Sequence, residues 1–269
     1  MTNQQEQARL LRELHRPGEP LVLANAWDAL SARLVAAAGA RAIATASASV
    51  SWVLGSPDGG GADREQVLAQ TALIARAVGL PVTADLESGF ADTAAGVGET
   101  VTALVATGAV GVNLEDADYS AEEAAERIAA ARAAADASGV PVFVNARTDV
   151  FLHQLGAPEG RLDEAVRRLR AYVEAGADGV FAPGVADPAT IAALVEAVPA
   201  PLNVLAGPGS PSVPELAKLG VARISLGPGP AKVAYEAVRR AAEEVYATGT
   251  YTALDGGLTY PELNELSRG

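Results

Sequence analysis

The chain has 269 residues, 49% of them hydrophobic, and its 20 Lys and Arg against 33 Asp and Glu give a formal charge of −13. That supports one large domain or two small ones. The lack of any basic run argues against a nucleic-acid partner, because phosphate binding needs clustered Lys and Arg. Cysteine is absent, which excludes disulfides, thiolate nucleophiles and most zinc sites.

The first stretch, Met1 to Arg12, is polar and mixed in charge, unlike a signal peptide. No apolar run reaches the ~18 residues of a membrane span, so a soluble cytoplasmic protein without a membrane partner is the expectation. In chain order, short apolar runs predict strands at Leu21–Ala26, Arg41–Ser47, Pro81–Glu87, Gly111–Glu115, Pro141–Thr148, Gly179–Pro183, Pro201–Ala206 and Arg223–Gly227. Continuous apolar runs mark strands buried on both faces. Amphipathic segments lie between them, including Asp63–Ala77, Ala121–Ser138, Arg161–Ala175 and Ala231–Ala247. Eight βα units in about 250 residues are the size of a TIM (β/α)8 barrel. A doubly wound open sheet is the alternative, but the place for its G-x-G-x-x-G reads Asn25-Ala26-Trp27-Asp28. The expectation is a single barrel domain over residues 1–250 and an appendage over 251–269. That tail turns at Asp255-Gly256-Gly257 and starts a helix near Pro261; it would pack on a neighbouring subunit or close the barrel floor.

Polar residues gather at the predicted strand ends, where barrel enzymes hold their active sites. Asn25 ends strand 1, and Ser47 and Ser49 follow strand 2 with Asp58 in the loop beyond. Asp85 and Glu87 end strand 3, Asn113 and Glu115 strand 4, and Asn145 and Arg147 strand 5, while Asn203 lies in strand 7. Asp85 and Glu87 are two apart and face the same way. Carboxylates in one pocket repel and need a cation or shared protons, and oxygen-only ligands suit Mg²⁺ or Mn²⁺. The candidate ligands are Asp58, Asp85, Glu87 and Glu115. Arg147 is the candidate cation for a substrate carboxylate or phosphonate, through a bidentate contact. The small-residue stretch Thr45-Ala46-Ser47-Ala48-Ser49 offers N–H groups and hydroxyls to an anion. Helix capping is the plainer reading for Asp28, Asp63, Asp92 and Asp187, and His153 reads as a loop residue. Lys218 and Lys232, the only lysines, fall in predicted helices, which argues against Schiff-base chemistry. Glycines after the last two strands suggest a phosphate-binding barrel, but Pro208 and Pro228 remove donors there.

With these residues in view, the chain resembles the isocitrate lyase and phosphoenolpyruvate mutase superfamily, from about Leu21 to Tyr246. The supporting stretches are 24–33 (ANAWDALSAR), Gly55-Ser56-Pro57-Asp58, 84–90 (ADLESGF), 111–116 (GVNLED) and Asn145-Ala146-Arg147-Thr148-Asp149. The resemblance implies a TIM barrel whose eighth helix is exchanged between subunits of a homodimer or homotetramer. It implies Mg²⁺ held by Asp85, with Asp58, Glu87 and Glu115 acting largely through water. It also implies a small 2-oxo acid or an adduct of one as substrate, its carboxylate gripped by Ser47-Ala48-Ser49 and its enolate stabilised by the metal and Arg147.

Departures narrow the expectation. Cleaving lyases of this superfamily carry a Lys-Lys-Cys-Gly-His-type lid after strand 4, where this chain reads Asp116-Ala117-Asp118-Tyr119-Ser120. The longer Lys- and Asn-bearing loop of the mutases is missing too, and Phe181-Ala182-Pro183-Gly184 lacks a histidine found in several relatives. The expectation is therefore a Mg²⁺-dependent lyase-type enzyme with oxaloacetate decarboxylation favoured. A phosphonopyruvate hydrolase or mutase, and a non-catalytic 2-oxo acid binding protein, are the alternatives. Tyr119 is the candidate acid if a larger adduct is cleaved.

Overall fold

The computed structural model describes residues 2–268. Its elements in order are α1 (Asn3–Glu13), β1 (Leu21–Leu23), α2 (Ala29–Ala37), β2 (Ile43–Ala44), α3 (Ser47–Val53), α4 (Arg64–Ala77), β3 (Val82–Asp85), α5 (Ala94–Ala106), β4 (Gly111–Glu115), α6 (Ala121–Ala137) and β5 (Phe143–Arg147). They continue as α7 (Arg161–Glu174), β6 (Gly179–Phe181), α8 (Pro188–Ala197), β7 (Leu202–Leu205), α9 (Val213–Lys218), β8 (Arg223–Ser225), α10 (Gly229–Thr248) and α11 (Tyr260–Arg268). Short 3-10 turns lie at Pro158–Gly160 and Thr252–Leu254.

All strand pairs are parallel, in the order β1-β8-β7-β6-β5-β4-β3-β2. The remaining seam, β1 to β2, is closed by a parallel bridge between Ala26 and Thr45, with the Ala26 N–H donating to Ala44 O at 2.8 Å. This is the TIM barrel that the eight apolar runs predict. Every residue of β2, β6 and β8 is buried, as expected for strands covered on both faces. Each strand is predicted in the right place, most with overlong ends. The apolar runs continue into loops that stay buried after the ladder hydrogen bonds stop. Strand 2 is the clearest correction, because Ser47 opens α3 instead of ending a strand.

Three of the four aspartates read as caps are caps. Asp28, Asp63 and Asp187 accept from the N–H groups of Ser31, Gln66 and Thr190 at 2.6, 2.8 and 2.8 Å, each satisfying a first-turn donor that has no partner inside its helix. Asp92 is not one; Thr93 caps α5 through Gly96 N–H.

The N-terminal end of the barrel is sealed. Leu11 of α1 is fully buried and lies against Gly111. A Cβ at Gly111 would sit 2.7 Å from both Leu11 Cδ2 and Thr83 Oγ1, so only glycine fits. The His15 ring stacks on Phe143 at 3.9 Å, and Arg12 pairs with Asp178 at 2.6 Å. Only the C-terminal mouth is left to a ligand.

The last helices are attached differently. α10 buries only Ala231, whereas Val233, Val238 and Tyr246 are 72%, 68% and 89% exposed. The tail helix α11 lies along α2 of the same chain, with Arg33 Nη1 donating to Leu266 O at 2.7 Å. Among the described residues no helix is long and apolar enough to cross a membrane.

Candidate active site

A cavity of about 210 Å³ opens at the C-terminal ends of the strands. That is below the ~300–1,000 Å³ of pockets for drug-sized molecules, so it suits a small acid. Ser47, Ala48, Asp58, Asp85 and Arg147 are on its wall. So is Arg223, which the sequence reading passed over.

Asp85 is placed by strand register. Asp85, Asn113 and Asn145 are direct partners across β3, β4 and β5. Asn145 Nδ2 donates to Asn113 Oδ1 at 2.9 Å, and Asn113 Nδ2 donates to Asp85 Oδ1 at 3.0 Å. The second oxygen, Oδ2, accepts the Ser47 N–H at 3.0 Å. A carboxylate only accepts, so it fixes both amide orientations along the row. The result is one immobilised carboxylate facing the cavity.

Arg147 is held from two sides. Its Nη1 meets Glu115 Oε2 at 2.6 Å and its Nε meets Asp149 Oδ1 at 2.7 Å. Asp149 is fully buried, and its own N–H donates to Asp116 Oδ1 at 2.9 Å. Asp116, the first residue after β4, is a buried hub. Its Oδ2 accepts from Thr148, Arg168 and Tyr172 at 2.7, 2.9 and 2.8 Å. The clamp uses Nε and one Nη1 hydrogen of Arg147, which leaves Nη2 and the second Nη1 hydrogen for a ligand. The sequence signal for Asp149 is its i, i+2 spacing from Arg147, the last residue of β5.

The remaining carboxylates stand behind the wall. Glu87 is 8% exposed, adopts φ 50° and has a buried Oε1 with no hydrogen-bond partner. Burial, then the charges of Asp58 and Asp85, push its pKa up to about 7. Glu115 is pushed up to about 8, by burial first; Arg147 pulls it down, while Asp85, Asp149 and Glu87 add to the rise. Burial disfavours the Arg147 charge, yet Glu115, Asp149 and Asp85 together hold its pKa above the ordinary arginine value. Non-glycine residues at positive φ recur in these loops: Glu87 and Phe90 after β3, Ala117 after β4 and Gln154 after β5. Such conformations cost ~1–3 kcal/mol each and gather at functional sites.

Among the described residues no three His, Asp or Glu side chains converge tightly enough to enclose an ion by themselves. A Mg²⁺ ion would not require such a cluster, since it takes one or two carboxylates and keeps several waters. The unpartnered Glu87 Oε1 and the mutual repulsion of Asp58, Asp85 and Glu87 fit a hydrated cation beside Asp85.

Three residues expected at the site lie elsewhere. Ser49 is fully buried and its hydroxyl donates to Ala46 O at 3.0 Å, because it falls inside the first turn of α3. Asn203 is buried below the cavity, its Oδ1 accepting from Ser225 Oγ at 3.2 Å. Tyr119, the candidate acid, is off the cavity wall, with Arg127 stacked 4.0 Å above its ring. His153 is an exposed loop residue, as expected.

Glu87 predicts a pH dependence for the protein stripped of divalent ions. Its folded pKa, about 7, exceeds the ordinary 4.5. Between these values the folded state therefore binds more protons than the unfolded state, and stability falls as pH rises through that window. The thermal midpoint in EDTA should drop between pH 5 and pH 8, measured by circular dichroism, and Glu87→Gln should flatten the drop. A midpoint that rises with pH in the wild type would contradict the assignment.

The chain is similar to known proteins along nearly its whole length. A family model described as phosphoenolpyruvate phosphomutase matches residues 11–246. An uncharacterized protein of Mycobacterium tuberculosis H37Rv is 39% identical over 236 residues, covering 87% of each chain. The 2-methylisocitrate lyase of Escherichia coli K12 is 34% identical over 262 residues (87% of this chain, 84% of that one). Oxaloacetate decarboxylase 2 of Pseudomonas putida W619 is 30% identical over 216 residues (76% and 68%). A crystal structure from Burkholderia cenocepacia J2315 superposes with TM-score 0.91 at 41% identity, covering 98% of this chain and 96% of that one. Phosphonopyruvate hydrolase in complex with oxalate and Mg²⁺ superposes with TM-score 0.84 at 29% identity (99% and 95%).

Proposed function

The chain belongs to the phosphoenolpyruvate phosphomutase family, among lyase-type enzymes of the isocitrate lyase and PEP mutase superfamily, and from that premise we propose a Mg²⁺-dependent enzyme that cleaves the bond between the carbon next to the ketone of a small 2-oxo acid and a departing group, with oxaloacetate decarboxylation its favoured reaction. The observation that carries this reading is the pairing of one immobilised carboxylate, Asp85, with one clamped cation, Arg147, across a small cavity. Asp85 would hold the ion, with Asp58, Glu87 and Glu115 reaching it through water. The bound ion would supply Lewis acidity that polarises the ketone and offsets the developing negative charge.

The chain's own residues do the rest. Arg147 is fixed in plane by Glu115 and Asp149, so its free Nη2 donates to an anionic oxygen without reorganising. Ser47 and Ala48 lie at the start of α3, where the first N–H groups have no partner inside the helix. The Ser47 N–H goes to Asp85, so the Ala48 N–H and the Ser47 hydroxyl are the donors left for the substrate carboxylate. Departing CO₂ needs no proton, and the enolate it leaves takes one from water. A departing carbanion would need an acid, and Tyr119, off the cavity wall with Arg127 over its ring, does not face the cavity.

A side-by-side kinetic panel with Mg²⁺ tests the reading. Oxaloacetate should turn over best, and isocitrate and 2-methylisocitrate negligibly. Either of the last two as best substrate, with kcat in the ordinary range of ~1–10³ s⁻¹, would overturn it. Asp58 on the cavity wall favours phosphonopyruvate hydrolysis or rearrangement as the second reading, so phosphonopyruvate belongs in the panel.

The bare face of α10 supports exchange of this helix between subunits. A 20-residue helix that buries one side chain at home has an apolar side to place elsewhere. Val238→Asp combined with Tyr246→Asp should convert a dimer or tetramer to monomers in sedimentation velocity. An unchanged sedimentation coefficient would refute exchange through this face.

A further inference from the structure

Arg223 is a buried cation that no carboxylate contacts among the described residues. It is the first residue of β8 and 3% exposed, and its guanidinium reaches the wall of the active-site cavity. The strand register explains its depth. Arg147, Phe181, Asn203 and Arg223 are successive partners across β5, β6, β7 and β8. Barrel strands tilt, so this row begins at the end of β5 and reaches the start of β8. Arg147 stands at the rim and Arg223 on the floor.

The two cations differ in company. Arg147 has Glu115 and Asp149 at ion-pair distance. Arg223 has one weak hydrogen bond, Nε to Ser225 Oγ at 3.4 Å, and its Nη1 is buried without a partner. Burial brings its pKa down to about 10, and Asp85 is the sole charge that opposes the fall. On its other side His15 is held neutral, its pKa pushed down to about 3 by burial and then by Arg223 itself. Once Asp85 serves a divalent ion, no other charge among the described residues compensates Arg223. A charge buried without a partner is costly, and proteins keep such groups where a ligand completes them.

We propose that Arg223 binds a second anionic group of the substrate, a carboxylate or a phosphonate at the end opposite the 2-oxo acid unit. This rests on the metal-dependent 2-oxo acid reading and adds to it the selection of doubly anionic acids. Arg223 is then a specificity-determining residue that acts through binding. Arg147 and Asp85 take the 2-oxo acid unit, and the floor of the barrel meets the group that the cleavage removes.

The test compares three probes on the Mg²⁺-loaded protein by calorimetric competition: pyruvate, 3,3-difluorooxaloacetate and phosphonopyruvate. Arg223→Met should weaken one or both doubly anionic acids by ~10²-fold, the loss expected for a charged hydrogen bond, and leave pyruvate within about 3-fold. Whichever of the two acids loses affinity identifies the second group as carboxylate or phosphonate. The same variant should melt higher than wild type without ligand, since it removes an uncompensated buried charge. If Arg223→Met does not fold, Arg223→Gln carries the same comparison. Equal losses for all three acids, or no loss for either dianion, would overturn the role of Arg223 and leave the 2-oxo acid reading intact. Failure of all three acids to bind wild type with Mg²⁺ would overturn both.

Discussion

Asp85→Ala is expected to abolish Mg²⁺ binding and lower kcat/KM by ~10³-fold or more, since it removes both the ion and the charge stabilisation the ion supplies. Asp85 combines three properties that no other carboxylate here combines. It is on the cavity wall, its two oxygens are oriented by Asn113 and Ser47, and it forms no ion pair. Glu115 is committed to Arg147 and Glu87 is behind the wall. Glu115→Gln should accordingly weaken the ion by only ~10–100-fold, the size typical of outer ligands. Titration with Mn²⁺ followed by electron paramagnetic resonance separates the two variants. Tight Mn²⁺ binding by Asp85→Ala, or full activity of the EDTA-stripped wild type, would sink the metal assignment.

Arg147→Lys should cost ~10²-fold in kcat/KM, equivalent to about 2.7 kcal/mol. The charge is retained, so the loss comes from shape. The guanidinium faces Glu115, Asp149 and the ligand in one plane, whereas an ammonium cannot reach all three from a single point. The variant would also leave Asp149, whose Oδ2 is already buried without a partner, with less compensation. The loss should fall mainly on kcat, because the developing negative charge is the group Nη2 meets. An unchanged kcat/KM would reduce Arg147 to a structural ion pair.

The sequence made the barrel legible because its strands are buried on both faces and read as unbroken apolar runs. It also made Asp85, Glu115 and Arg147 legible, because each is the last residue of its strand. What it hid has physical causes. Ser49 looked exposed because α3 is a single small-residue helix with no caps to announce it. Asn203 read as a substrate contact from within strand 7, but its side chain is buried against Ser225 and is not on the cavity wall. Arg223 was hidden for the opposite reason. It starts its strand, where a residue reads as part of the floor, and only the length of its side chain brings it into the site.

The uneven treatment of the two barrel ends has a consequence for how this enzyme can change. At one end Leu11, Gly111 and Phe143 are packed so closely that substitution would be paid in folding yield. At the other, Glu87, Phe90, Ala117 and Gln154 hold the backbone in conformations that glycine would adopt more easily. A glycine at Ala117 should therefore stabilise the chain while loosening the site. Selection for a new substrate and selection for heat resistance would draw on the same mouth loops, and the second could proceed at the expense of activity without disturbing the barrel.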